Sequence, residues 1–199
     1  MHNLFRNLSS LISVWRAGER VYSPPAYALG LGLAARNAGT GPVAWLRGWP
    51  RPRIHAPPGV VEIGHAALYP GVRLQCRRHG RIRVGDGSFI NHDTRIRSRT
   101  AVEIGRHCMV SWDCLITDEC ANTARPAPVR IGDHCWIGAK VLILGGTTLA
   151  AGCIVAAGSI VQGHFPAGVV LAGKPAHPVA DEMPPSRDHL AGQPGDRDV

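Results

Sequence analysis

The stretch Ile131-Gly132-Asp133-His134-Cys135-Trp136-Ile137-Gly138-Ala139-Lys140-Val141-Leu142-Ile143-Leu144-Gly145-Gly146-Thr147-Thr148-Leu149 carries an aliphatic residue at every sixth position: Ile131, Ile137, Ile143 and Leu149. The same beat extends upstream through Val84, Ile90, Ile96, Ile104, Val110 and Ile116, and downstream through Val155 and Val161. A period of six fits neither the 3.6-residue helix nor the two-residue alternation of a half-buried strand. A fixed repeat sustained over this length is the signature of stacked coils, so the pattern predicts a parallel β-helix built from hexapeptides.

A second slot lies four residues after each aliphatic and holds Ser88, Thr94, Thr100, Cys108, Cys114, Cys120, Cys135, Val141, Thr147, Cys153, Ser159 and Phe165. All but Phe165 are small. One large and one small inward residue per six lets a short strand fill the interior and the chain then turn a corner. Three such strands close an eighteen-residue coil, giving four coils from Val84 to Pro166. Two insertions interrupt them, Val102-Glu103 and the nine residues Asn122 to Arg130, and a weaker partial coil precedes them over Val60 to Arg83.

With 199 residues the chain fits one domain with appended ends: an N-terminal helical and connecting segment over 1–58, the β-helix over 59–180 and a disordered tail over 181–199. Leu4, Phe5, Leu8, Leu11, Ile12 and Trp15 form one helical stripe, and residues 26–35 read as a second short helix. The first helix packs on its own domain or, through its basic opposite face, lies against a membrane surface. No run of 18 apolar residues exists to span a bilayer.

Five of the six cysteines occupy the small inward slot, and Cys76 fits it when counted from Val72, so they read as reduced core residues. With no Cys-x-x-Cys pair and no secretory leader, a cytoplasmic location is expected. The net charge of +8 points to an anionic partner, and Arg77, Arg78, Arg81, Arg83, Arg95, Arg97 and Arg99 crowd the first coils. Nucleic acid fits poorly, because only three Phe and three Tyr are present and no binding motif appears.

The repeat, together with Ile131-Gly132-Asp133, Trp136-Ile137-Gly138-Ala139 and Ala157-Gly158-Ser159, resembles the left-handed β-helix acyltransferases over about half the chain. The resemblance implies the left-handed sense, a homotrimer, and acetyl-coenzyme A or another acyl-coenzyme A held between two prisms. The positions matching the ligand groove are Trp136, Gly138, Ala139, Ala157 and Gly158, with Lys174 of Ala172-Gly173-Lys174-Pro175-Ala176 as a phosphate contact. Gln162-Gly163 stands where related sugar acetyltransferases often carry Thr-Lys.

Acyl transfer to a hydroxyl needs a base, and neutral imidazole suits that role near pH 7. The galactoside and maltose acetyltransferase branch places its histidine in a loop where this chain has Ala121 or Asn122. A replacement lies in Gly85-Asp86-Gly87-Ser88-Phe89-Ile90-Asn91-His92-Asp93-Thr94, which resembles the segment that carries the base in serine acetyltransferases. The expected roles are His92 as general base, Asn91 placing the acceptor, and Asp118 or Asp93 orienting the imidazole; the aspartate that orients it in serine acetyltransferases corresponds to Arg77. The expected function is O-acyl transfer to a saccharide or glycan precursor, with a non-catalytic scaffold or ligand-binding trimer as the alternative. No metal is expected. A zinc enzyme of the γ-type carbonic anhydrase kind needs a His-x4-His pair, and none of the ten histidines are five apart.

Overall fold

A computed structural model describes residues 52–180 and the two-residue strand Ala44–Trp45. Among them the chain forms strands, turns and bends without a helix, and it visits three sheets in rotation. Face A is eight-stranded and includes Ala67–Leu68, Phe89–Ile90, Met109–Val110, Trp136–Ile137, Ile154–Val155 and Val170–Gly173. Face B is six-stranded: Arg53–His55, Arg73–Cys76, Arg95–Ser98, Leu115–Thr117, Leu142–Ile143 and Ile160–Val161. Face C, also six-stranded, runs from Val61–Ile63 through Ile82–Val84, Val102–Ile104, Val129–Ile131 and Thr148–Leu149 to His164–Phe165. Pairing is parallel throughout until Ala176–Ala180 folds back antiparallel on Val170–Gly173. At the spacing of hydrogen-bonded strands, six layers span roughly 24 Å.

The predicted rhythm is the interior. Ile90, Val110, Ile137 and Val155 stack behind face A, Ile96, Ile116, Ile143 and Val161 behind face B, and Val84, Ile104, Ile131 and Leu149 behind face C, none more than 3% exposed. Each such side chain contributes about 1.5–3 kcal/mol by leaving water. The small slot has a second use beyond letting the chain turn. Ser88 Oγ donates to Gly105 O at 2.8 Å and Thr94 Oγ1 to Ser111 O at 2.8 Å. The thiols of Cys108, Cys114, Cys135 and Cys153 donate at 3.1–3.2 Å to the carbonyls of Gly132, Gly138, Ala150 and Pro166. Each satisfies a main-chain acceptor in the next coil.

Several sequence expectations change. The strand stack starts before residue 59, because Ala44–Trp45 pairs with Ala67–Leu68 and Arg53–His55 with Arg73–Gln75. The partial coil over 60–83 is regular, with Ile63, Leu68 and Leu74 buried. Its rhythm slips because five residues, 77–81, separate its face B strand from the next face C strand. Val102 and Glu103 are no insertion: Val102 is a second inward residue of a three-residue strand, paired with Ile82 and Val129. From Val84 onward every departure from six falls at the corner between faces B and C, where the longest loop spans 118–128. The two N-terminal helices and the tail over 181–199 lie outside the described residues.

Candidate active site

The corner between faces A and B repeats one turn in successive coils. Gly71, Asp93, Asp113, Lys140 and Gly158 occupy equivalent positions, all with φ between 57° and 79°. The preceding residues align as Pro70, His92, Trp112, Ala139 and Ala157. Main-chain bonds fix that column: Asp93 N donates to Pro70 O, Asp113 N to His92 O, Lys140 N to Trp112 O and Gly158 N to Ala139 O. The edge therefore carries its bulkiest groups, His92 and Trp112, in the middle coils, between Pro70–Gly71 on one side and Ala139–Lys140 and Ala157–Gly158 on the other.

His92 is exposed and its ring packs edge-on to Tyr69 at 5.2 Å between centroids. Burial pushes the Tyr69 phenol up, so that neighbour is neutral near pH 7. His92 Nδ1 lies 2.6 Å from Asn91 Oδ1, which also accepts the His92 main-chain N–H at 2.8 Å. Because a backbone N–H needs an acceptor, the amide oxygen faces the ring; Nδ1 then carries the proton and the Nε2 lone pair is left for an incoming hydroxyl. The sequence reading gave Asn91 to the acceptor, but its oxygen is committed to His92.

Arg73, His92, Asp93, Arg95, Trp112 and Asp113 surround an open hollow of about 670 Å³. Trp112 is 54% exposed, and Arg95 Nη2 is 4.0 Å from Asp113 Oδ1. Of these, Arg73, Trp112 and Asp113 escaped the sequence reading. A signal existed for two of them: Trp112-Asp113 follows the inward Val110 just as His92-Asp93 follows the inward Ile90.

Four of the expected acyl-coenzyme A positions, Gly138, Ala139, Ala157 and Gly158, lie along this edge. Gly138 and Ala139 form the turn one coil beyond Trp112, and Ala157 and Gly158 the turn after that. A methyl at Gly138 would meet Ala157 N at 2.6 Å, so its backbone lies hard against the next coil. At Gly158 a methyl would meet nothing within 4 Å, so the edge there is open for a ligand arm to reach the main chain. Trp136, 49% exposed, stands on the outer surface of face A between Met109 and Ile154. Lys174 lies in the exposed turn before Ala176–Ala180, next to Gly173, whose N–H donates to Ser159 Oγ at 3.2 Å. These side chains and this open backbone fit a phosphorylated, thiol-bearing arm.

Asp118 is the clear correction. It sits at the opposite end of face B, with the four-residue strand Arg95–Ser98 between its corner and that of His92. Fully buried, its carboxylate accepts from Arg99 N at 2.8 Å, Thr100 N at 2.6 Å, Ser98 Oγ at 3.1 Å and Thr100 Oγ1 at 2.9 Å. It ties one coil to the next and does not orient His92. Asp93 leans over Gly71 of the preceding coil. Ala121 and Asn122 lie in the loop at the corner between faces B and C, so within one chain that loop does not meet His92. Gln162 Nε2 donates to Gly145 O at 3.1 Å. Among the described residues no three His, Cys, Asp or Glu side chains gather as a metal site.

The family "hexapeptide repeat of succinyl-transferase" matches residues 128–162. A probable acetyltransferase of Mycobacterium tuberculosis, Rv3034c, is 33% identical over 144 residues, covering 65% of this chain and 48% of the relative. WbbJ of Escherichia coli, named for O-acetyl transfer in lipopolysaccharide biosynthesis, is 31% identical over 53% of this chain and 63% of its own. The chain thus spans about half the length of the curated relatives it matches. Among solved structures AntD, an N-acyltransferase from Bacillus cereus in complex with dTDP and 3-hydroxybutyryl-CoA, superposes with a TM-score of 0.67 at 17% identity. That superposition covers 77% of this chain and 88% of AntD, and it speaks for the fold.

Proposed function

We infer that the chain, as a member of the hexapeptide-repeat, left-handed β-helix acyltransferases it resembles, moves an acyl group, acetyl in the simplest case, from acyl-coenzyme A to a hydroxyl of a saccharide or glycan precursor. One observation carries the reading: a single prism edge aligns the His92–Asn91 pair with the late turns at Ala139 and at Ala157–Gly158, the second of them open at the main chain. His92 lies three coils before Ala157, roughly 14 Å along the edge at strand spacing. An extended ligand lying on the late turns would bring its reactive end toward the imidazole.

In this reading His92 Nε2 accepts the hydroxyl proton as the oxygen attacks the thioester carbonyl carbon. The tetrahedral intermediate collapses with cleavage of the carbon–sulfur bond, and the imidazolium returns the proton to the departing thiolate. Asn91 Oδ1 holds Nδ1–H and steadies the imidazolium while it exists. Trp112 offers an apolar surface to a sugar ring in the same hollow. Assembly as a homotrimer, a cytoplasmic location and Lys174 as a phosphate contact belong to the same proposal.

Thiol release from acetyl-coenzyme A with saccharide acceptors tests it. The wild type should release thiol in an acceptor-dependent way and the His92→Ala variant should not. Coenzyme A binding without turnover on any sugar would favour the scaffold alternative instead.

A further inference from the structure

The outer surface of face B changes chemistry halfway along the prism. Its first column runs Arg53, Arg73 and Arg95 in direct register, then Leu115, Leu142 and Ile160. Face C treats charge differently. There Glu62, Arg83, Glu103 and Arg130 alternate in register, with Arg83–Glu62 at 2.8 Å and Arg130–Glu103 at 3.7 Å. Like charges directly opposite on neighbouring strands oppose folding. Among the described residues Arg53 and Arg73 have no ion pair, and Arg95 has Asp113 only at 4.0 Å. Arg73 and Arg95 open onto the hollow that holds His92 and Trp112.

We propose that this hollow selects an anionic saccharide, whose carboxylate or phosphate bridges Arg73 and Arg95 while a sugar ring lies against Trp112 and presents its hydroxyl to His92. Guanidinium forks pair with both anions in bidentate fashion, and an anion shared between two strand neighbours removes their mutual repulsion. The basic column ends at Arg95, on the strand that directly follows His92, and beyond it the same positions are aliphatic. The role of acceptor rests on the acyl-transfer reading; recognition of the anion does not.

Calorimetry on the full chain with trigalacturonic acid, galactotriose and glucose 6-phosphate separates the cases. At low salt a charged probe should bind at least about tenfold more tightly than galactotriose, the size of effect expected for a charge-assisted pair. The gap should shrink as salt rises. The double variant Arg73→Gln/Arg95→Gln should abolish the gap and leave acetyl-coenzyme A binding unchanged. Whether trigalacturonic acid or glucose 6-phosphate gives the larger gap identifies the anion. Equal binding of charged and neutral probes overturns the proposal, as does a gap that survives in the double variant. So does a short single-stranded RNA that binds more tightly than either charged probe through the same arginines. An arginine-dependent gap without acetyl transfer supports anion recognition and removes the acyl-transfer reading. Transfer to galactotriose without any gap does the reverse.

Discussion

His92 Nδ1 sits 2.6 Å from Asn91 Oδ1, and the same oxygen takes the His92 main-chain N–H at 2.8 Å. Two donors on one oxygen fix both the amide and the tautomer, leaving Nε2 as the base. Removing the ring in His92→Ala should lower kcat by about 10²–10⁴-fold, the usual contribution of a positioned base. Asn91→Ala should lower kcat less, by about tenfold, with the KM for acyl-coenzyme A unchanged, since the imidazole persists but loses its orienting bond. Steady-state thiol release on both variants checks this; an Asn91→Ala enzyme with wild-type kcat would separate the pair from the mechanism.

The Asp118 carboxylate accepts from two main-chain and two side-chain donors while wholly buried. Asp118→Asn places an amide N–H₂ where an acceptor is needed and leaves donors unsatisfied. A loss of about 2–3 kcal/mol in folding stability is expected, read as a lower denaturant midpoint. Turnover per folded molecule should stay at the wild-type level. The opposite outcome, an unchanged midpoint with lost turnover, would return Asp118 to the catalytic set.

Burial pushes the thiols of Cys76, Cys114 and Cys153 up, with Asp118 adding to the effect at Cys76. They should therefore resist an aromatic disulfide reagent in the native protein, whereas the half-buried Cys120 reacts first. Linkage gives the sign of the pH effect. With folded values above the unfolded one near 8.5, their contribution to stability is complete below that pH and declines as pH rises beyond it. Denaturant midpoints measured from pH 7 to pH 10 should fall on the alkaline side, and replacing the three cysteines with serine should flatten the fall.

The six-residue period announced the coil because a large inward side chain is needed once per strand, and Ile131, Ile137 and Ile143 mark three successive strands on three faces. It also absorbed five of the six cysteines, Cys120 lying instead half-buried in the loop over 118–128, although only the cross-coil geometry reveals that Cys108, Cys114, Cys135 and Cys153 donate to the coil above. The period alone did not carry the corner at which each outward residue stands. Asp118 and His92 are both polar and both beside a turn, yet they occupy opposite ends of face B. Separating them requires the strand Arg95–Ser98 to be placed. The hollow was hidden for a related reason: Arg73, His92 and Trp112 belong to three different coils, and only cross-strand register makes them neighbours.

Ala157 is exposed at the open end of the edge, directly before Gly158 with its φ of 72°, and its side chain has no core role. Ala157→Glu keeps the turn and puts a carboxylate where the phosphorylated ligand is proposed to lie. The KM for acyl-coenzyme A should rise about tenfold, near 1.4 kcal/mol of lost binding, with kcat within about twofold of wild type because His92 is three coils away. Thr148→Glu makes the same charge change on the outside of face C, remote from the edge, and should leave KM as it was. Equal KM increases in the two variants would mean a general electrostatic effect of added negative charge, and the ligand path would then have to be sought away from the corner between faces A and B.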